Sequence, residues 1–531
     1  MSHSQQMKNQ IKTLIPFFFL VAFIAIGLSI YKDYGIPWDE PPQINIARVN
    51  LLYILQGDPT LLSFPFRYYG PIIEIPLFVV SSILLLPRHL ALFLIFVSGL
   101  IMFYILSCRL FHNSWMGLLA SGLLAISPRI FADAFYNSKD IPFLVGFIAA
   151  ILTLVLLSDS LVKKPQWLNV FVRLVGHAGA SAILISTRIP GIVIIPLTLF
   201  LILINIERPR VFWKRKLMIT FGYLVLTAGL TILFWPILWH DPWGEFINAF
   251  NNMANYPWPY TVLYMGNVFF AKDLPWHYPL VWIGITTPII VLVGFIPGIL
   301  KFIGSLLNRL NLIKHTHHDP VFKSINSEIF VWMVVMGWLL IPVSAIYIFQ
   351  STLYDGWRQL FFVYPAILLI SLLGLKALYQ WMLHFDLNSN YIRIVAYFFL
   401  LVGLAEPIWF IVRYHPYENV YFNAFSGDSS TLRQRFELDY WGLSYKQSID
   451  FILSNDHRQI INIFVANSPG ESYINNGLPP EMRSRLRIVK DPGDADYFVS
   501  NFRSHPEDYH YGDEYYSIEI KGTKIMVVYK R

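Results

Sequence analysis

Thr13-Leu-Ile-Pro16-Phe-Phe-Phe-Leu-Val-Ala-Phe-Ile-Ala-Ile-Gly-Leu-Ser-Ile-Tyr31 carries no charged side chain, and Lys32-Asp33-Tyr-Gly-Ile-Pro37-Trp38-Asp39-Glu40-Pro41-Pro42 follows it directly. An apolar segment of this length crosses the ~30 Å hydrocarbon core of a bilayer as a helix. Lys8 and Lys12 precede it, and no small-x-small cleavage pattern follows Ile30. It therefore reads as a retained first span and not as a signal peptide.

The same texture recurs along the 531 residues, with apolar runs near 13–31, 89–107, 113–127, 141–158, 174–187, 190–206, 217–239, 278–300, 328–349, 358–376 and 391–411. Hydrophobic residues make up 55% of the chain and charged residues only 14%, against roughly 25% charged in soluble domains. A soluble fold is excluded. The net charge of +7 is spread over the connections between apolar runs, which speaks for topology and against a nucleic-acid partner. Cys108 is the single cysteine, so no internal disulfide exists. The fold class expected is a polytopic α-helical membrane protein of about eleven transmembrane helices. The run 70–86 contains Pro71, Glu74, Pro76 and Pro87 and is expected to lie in the interface without spanning.

With eleven spans, one set of connections holds Lys8, Lys12, Arg109, Lys163, Lys164, Arg173, Arg208, Arg210, Lys214, Arg215, Lys216, Lys301, Arg309, Lys314, Lys323, Lys376 and Arg393. By the positive-inside rule that set is cytoplasmic. His315, His317 and His318 fall in one of its loops and read as solvated. Beyond about residue 413, β-rich runs (Ile460–Val465, Arg487–Val489, Tyr497–Ser500, Tyr516–Ile520, Lys524–Tyr529) alternate with helical Tyr445–Ser454. The expected division is a transmembrane catalytic domain over 1–412 and a small extracytoplasmic α/β domain over 413–531.

The opposite connections collect acids, arginines and histidines. They hold Asp39-Glu40, then Arg129, Asp133 and Lys139-Asp140, then Arg188, then His240-Asp241 and His277, then Tyr354-Asp355-Gly356-Trp357-Arg358. Pro37 and Pro41 around Asp39 disfavour a regular helix and are expected to hold that stretch as a loop. Arginine presents a fork of donors matched to phosphate oxygens, which makes Arg358 and Arg188 candidate phosphate ligands; the alternative for both is snorkelling to the interface. Asp133 reads most simply as a solvated loop acid, and Asp140 as the N-cap of the following span. His240 and His277 match no compact metal-ligand spacing. No metal ligand is assigned, and a divalent metal cofactor is left open.

Several of these features together resemble the C-type (GT-C) membrane glycosyltransferases, in the branch of protein O-mannosyltransferases and bacterial lipid A aminoarabinose transferases. The features are an acid in a long first outer loop, Tyr68-Tyr69-Gly70-Pro71 before the second span, Arg109-Leu-Phe after it, and Ser127-Pro…Asp140 after the third. The resemblance implies a polyprenyl-phosphate sugar donor, membrane lipids as surroundings, and a glycan, lipid or protein acceptor. It makes Asp39 the candidate general base, with Glu40 and Asp140 as further catalytic candidates. Arg358, Arg188, Tyr69, Asp133, His240 and His277 are candidates for substrate binding. Where the aminoarabinose transferases place a lysine after the Tyr-Gly segment, this chain has Ile72, Ile73 and Glu74, so Arg67 is the substitute considered. Tyr414–Asn423 and Phe436–Tyr445 resemble segments of one bacterial subgroup, and read either as docking surfaces for the tail or as the lining of an acceptor groove.

Inverting transfer on the outer face of the cytoplasmic membrane is the function expected. A flippase for a lipid-linked saccharide is the first rival, but transporters favour internal repeats and midplane polar sites, and neither is seen here. A non-catalytic scaffold of the same fold is the second. A reporter fused after Arg531 is expected to be active only outside the cytoplasm; cytoplasmic activity would remove Asp39 from the outer face.

Overall fold

Helices occupy each of the eleven apolar runs in this computed structural model, which describes residues 3–162, 166–204, 213–254, 256–315, 327–384 and 389–531. His317 and His318 lie outside these residues. Among the described residues, eight helices are long and apolar enough to cross a membrane. Ser114–Ala125 and Pro128–Tyr136 pass the same test only as a pair bent through 69°, the geometry of a broken span or a re-entrant loop. The two remaining runs form the shorter apolar helices Leu14–Ile30 and Ile189–Leu203. The chain is a polytopic helical membrane protein with a C-terminal sheet region.

Two expectations need correction. The run 278–300 is not one helix: Tyr278–Thr286 ends at an extended Thr287, and Ile289–His315 begins anew. Pro288 follows Thr287 and keeps it out of the helical region. The carbonyls freed at this break are taken by the tail, where Asn423 Nδ2 donates to Gly284 O at 2.8 Å and Thr287 O at 2.6 Å. Secondly, the prolines after Asp39 start a helix instead of preventing one. Glu40–Gln56 is helical with Pro41 and Pro42 in its first turn, where a missing N–H leaves no bond unmade. The run 70–86 contains the helix Glu74–Ser82, nine residues long. That is about 13.5 Å of rise, too short to span. Its Glu74 is pinned to Arg88 at 2.6 Å.

Arg358–Met382 and Asp140–Leu161 form the centre of the bundle, with 83% and 78% of their apolar windows buried. Glycines bring the neighbour of the first one close. A Cβ at Gly374 would come within 1.9 Å of Gly294 O, and one at Gly298 within 2.3 Å of Ile370 O. Gly294-x-x-x-Gly298 is thus a small-residue face that lets two backbones touch.

A short hairpin, β1 (Thr261–Tyr264) with β2 (Asn267–Phe270), precedes the tail, which folds into a five-stranded sheet. Its strands are β3 (Ile461–Val465), β4 (Leu486–Ile488), β5 (Tyr497–Ser500), β6 (Asp513–Ile520) and β7 (Thr523–Lys530). β3 runs parallel to β4 and β5, while β7 is antiparallel to β5 and β6. The two strands at the middle, β5 and β7, are buried almost throughout, as sheet strands covered on both faces are. Asp439 accepts from the amides of Leu443 and Ser444 and so satisfies the start of the helix Ser444–Asn455.

Gly70 is pressed against the end of the helix Trp167–Thr187, where a Cβ would lie 1.7 Å from Ser186 O. Gly70→Ala should destabilise the protein by about 1–3 kcal/mol through overpacking. Thermal unfolding of the purified chain measures this, and an unchanged midpoint would show that the two backbones can part freely.

Candidate functional site

Four chain segments meet at one end of the bundle around the Arg358 guanidinium, which is 2% exposed. Its Nη1 donates to Asp140 Oδ2 at 2.9 Å and its Nη2 to Asp355 Oδ2 at 3.2 Å, and Asp39 Oδ2 lies 3.6 Å from Nη2. Trp441, from the tail, covers it at 4.7 Å from ring centre to guanidinium. Arg358 is therefore not snorkelling. It is a buried cation whose neutralisation by three carboxylates ties these segments together.

Asp355 reaches this position through a tight turn. It has φ +54° and the following Gly356 φ +74°, and aspartate tolerates the left-handed region better than most residues. Gly356 N–H donates to Tyr278 Oη at 3.0 Å. Asp140 does not cap its own helix. Asn137 Oδ1 accepts its amide at 2.9 Å, and the Asp140 carboxylate bridges Arg358 and Arg188. With both oxygens in ion pairs, Asp140 is suited to positioning the two arginines.

Asp39 pairs through Oδ2 with Lys139 Nζ at 2.7 Å. Burial raises its carboxyl pKa, but the Lys139 and Arg358 cations outweigh burial and hold it below the ordinary carboxylate range. Arg503 closes the cluster from the tail, 2.8 Å from Asp355 Oδ1 and stacked over Trp38 at 4.9 Å. The ion-paired set contains Lys139, Arg188, Arg358 and Arg503 against Asp39, Asp140 and Asp355. The buried Asp133 carboxyl, within electrostatic reach of Arg358 and Asp140, stands against the fourth cation.

Two cavities adjoin the cluster. The first is mostly apolar, with Phe143, Ile192, Phe250, Ile346 and Phe362 in its wall. The second is lined by Tyr69, Lys139, Tyr256, Tyr354 and Gln359. Arg188, Ile189, Pro190 and Met253 belong to both walls.

Of the candidates read from the sequence, Asp39, Asp140, Arg188 and Arg358 are brought together, with Tyr69 beside them under Lys139 (5.3 Å). Of the others, Asp133 lies beside Asp140, with which it shares the Asn137 amide, and the rest stand apart. Glu40 turns away to His89 Nε2 at 3.0 Å. Arg67 lies over the Tyr68 ring and donates to Phe64 O. His277 Nδ1 meets Tyr264 Oη at 2.7 Å beside the hairpin, and His240 is exposed. Asp133 is not solvated: it is 1% exposed and accepts from Tyr136 Oη, Asn137 Nδ2 and Trp441 Nε1. Among the described residues no group of three or more His, Cys, Asp or Glu could hold a metal ion. Lys139, Asp355, Arg503 and Trp441 were missed as site residues. The first two had one signal, standing next to Asp140 and three residues before Arg358. The tail pair had none.

Both tail segments dock. Arg129 Nε donates to Tyr421 O at 3.0 Å and its guanidinium lies over Phe422, which fixes the 414–423 segment. Trp441 O accepts from Trp38 N–H at 3.0 Å, which ties 436–445 to the first loop and makes it the roof of the cluster.

Arg358→Lys keeps the charge but cannot reach Asp140 and Asp355 from two separate nitrogens. It should lower stability by about 2 kcal/mol, the scale of a lost charge-assisted hydrogen bond in a buried site. Chemical denaturation in detergent checks this, and wild-type stability would mean that the guanidinium does not hold the segments together.

No protein-family model matches the sequence, and no curated protein matches it. Among solved structures, the chain is similar to ArnT from Cupriavidus metallidurans bound to undecaprenyl phosphate, with 14% identity and a TM-score of 0.46, over 96% of this chain and 98% of that one. It is also similar to the archaeal oligosaccharyltransferase AglB from Archaeoglobus fulgidus in complex with an inhibitory peptide and a dolichol-phosphate, with 10% identity and a TM-score of 0.45, over 91% and 69% of the two chains.

Proposed function

We propose that this protein is an inverting glycosyltransferase that moves a sugar from a polyprenyl phosphate to an acceptor hydroxyl on the outer face of the cytoplasmic membrane, with residues 413–531 forming a domain outside. The observation that carries this reading is the place of Arg188, which stands in the wall of both the apolar cavity and the polar pocket. An amphiphile with a long apolar tail and an anionic head fits that junction: its tail lies among Phe143, Phe250 and Phe362, and its phosphate meets Arg188 and Lys139.

The chemistry follows from these groups. The acceptor oxygen attacks the anomeric carbon while its proton passes to Asp39, and the bond from that carbon to the phosphate oxygen breaks. The phosphate stays on the lipid, held by Arg188 and Lys139, so leaving-group protonation is unnecessary and electrostatic stabilisation dominates. A single displacement inverts the anomeric configuration. Asp39 is a weak base while Lys139 and Arg358 hold it. A donor phosphate competes for Lys139, and that competition returns basicity to Asp39 at the moment it is needed.

Asp39→Asn should cut transfer by ~10²–10⁴-fold, and it should bind lipid phosphate as well as wild type or better, since a competing anion is gone. Glu40→Gln should be mild because Glu40 faces His89. In wild type the acid limb of kcat should lie at higher pH than that of kcat/KM, because the first reports the donor complex and the second the free enzyme. The assay is transfer from a radiolabelled polyprenyl-phosphate sugar in membranes. Full activity in Asp39→Asn would remove the base from this position, and would favour a transporter or scaffold if Asp140 and Asp133 substitutions were also silent.

A further inference from the structure

The 414–423 segment carries a histidine that the transfer chemistry above does not use. His415 lies between two carboxylates from distant parts of the chain: its Nε2 meets Asp33 Oδ2 at 2.9 Å and its Nδ1 meets Glu418 Oε1 at 2.7 Å. A neutral imidazole has one N–H and one lone pair, so it can satisfy only one of them. Tyr34 cannot make up the shortfall, because its Oη already donates to Glu418. Both bonds exist together only when the trio holds one proton beyond a neutral ring and two carboxylates. The Glu418 side chain is 0% exposed and that of Asp33 48%. When the extra proton leaves, the buried Glu418 keeps the remaining N–H, and Asp33, which water can solvate, is left facing a lone pair.

Asp33 matters to the site because Asp39 follows it by six residues, and the stretch between them is fastened to the tail. Lys446 Nζ donates to Asp33 O at 3.2 Å. A Cβ at Gly35 would stand 2.7 Å from Leu443 O, and Trp38 N–H donates to Trp441 O at 3.0 Å. The Tyr34 ring stands edge-on to the imidazole at 5.3 Å. The titratable groups facing His415 are Asp33 and Tyr34 from the first loop, Glu418 from the tail and Lys446 from the helix Ser444–Asn455, with Asp133 and Tyr417 beyond them. Burial raises the Tyr34 and Tyr417 phenols and keeps them neutral, and it raises the Glu418 carboxyl as well. Burial lowers the His415 pKa, but Glu418 and Asp33 outweigh it and lift it above the ordinary 6.5.

We propose that His415 is a positioning residue for the first loop: its shared proton latches Asp33 to the tail and so aligns the stretch that carries Asp39. The consequence for catalysis rests on the glycosyl-transfer reading, and adds to it a residue that no substrate touches. Because folding raises the histidine pKa, the latch is complete below the ordinary value and is lost as pH rises through the higher native one. Transfer should fall on the alkaline side together with the titration of this ring.

The test uses the full chain in nanodiscs. Histidine NMR follows the ring, hydrogen exchange of residues 32–39, corrected for its intrinsic pH dependence, follows the loop, and transfer from a radiolabelled polyprenyl-phosphate sugar follows the reaction. In wild type, protection of 32–39 should drop about tenfold above the measured pKa of the ring, the scale of one charge-assisted hydrogen bond. Over the same range kcat should fall with KM little changed. Asp33→Asn, at an exposed position, introduces an amide that accepts from a charged ring and donates to a neutral one. It should retain wild-type protection and kcat at low pH and abolish the alkaline drop in both. His415→Arg, a permanent cation, should also hold the loop throughout. The latch is overturned if wild-type protection does not change with pH, or if His415 titrates at or below 6.5. It is equally overturned if the drop persists in Asp33→Asn, which would assign it to Lys446, whose pKa burial lowers. A loop that loosens while kcat stays level would refute the positioning role. Absence of transfer at every pH, with protection titrating as expected, would bring down the transfer reading and leave the latch standing.

Discussion

A guanidinium withdrawn from water must be neutralised where it stands, and the structure around Arg358 is organised by that requirement. Asp39 comes from the turn after the first helix, Asp140 from the start of a central helix, and Asp355 from the turn preceding Arg358 itself. Taking any one carboxylate away leaves buried charge uncompensated, which typically costs several kcal/mol. The ion pairs therefore act as a clasp, more important for holding the segments in one arrangement than for net stability. Trp441 seals the clasp from the tail while donating to Asp133, so the sheet region is mechanically part of the site.

The clasp divides the cations by accessibility. Arg358 is enclosed, whereas the Arg188 side chain is 19% exposed and shares in the walls of both cavities. A rigid buried charge that orients a more accessible one through the shared Asp140 carboxylate is a preorganised arrangement: the donors are aimed before a ligand arrives, so little reorganisation remains for the reaction step. Tyr69, Tyr256 and Tyr354 line the polar pocket, and Trp258 is stacked on Tyr354 at 3.8 Å. Their rings bring apolar surface with few rotatable bonds, and this keeps the pocket narrow.

The sequence-level view of this site was partial for identifiable reasons. Asp39, Asp140, Arg188 and Arg358 stood out because ionisable groups at helix ends of a membrane protein are conspicuous. Lys139 did not, because beside an aspartate it reads as one more loop charge. Asp133 was misread as solvated because nothing local reveals that Trp441, 308 residues away, lies over it. The helix after Asp39 was missed because two prolines argue against helix everywhere except in its first turn.

What the sequence determined by itself was most of what depends on short-range pattern. The positions of the apolar helices, the strands of the tail and the helix Ser444–Asn455 follow from hydrophobic content and period, which a bilayer and a sheet each read directly. Only tertiary structure decided which charges meet. The Arg358–Asp140 pair joins residues 218 positions apart, and Arg503 meets Asp355 across 148. Pairing over such separations leaves no trace in local composition, because it is imposed by helix packing and by the rule that charge buried together must balance.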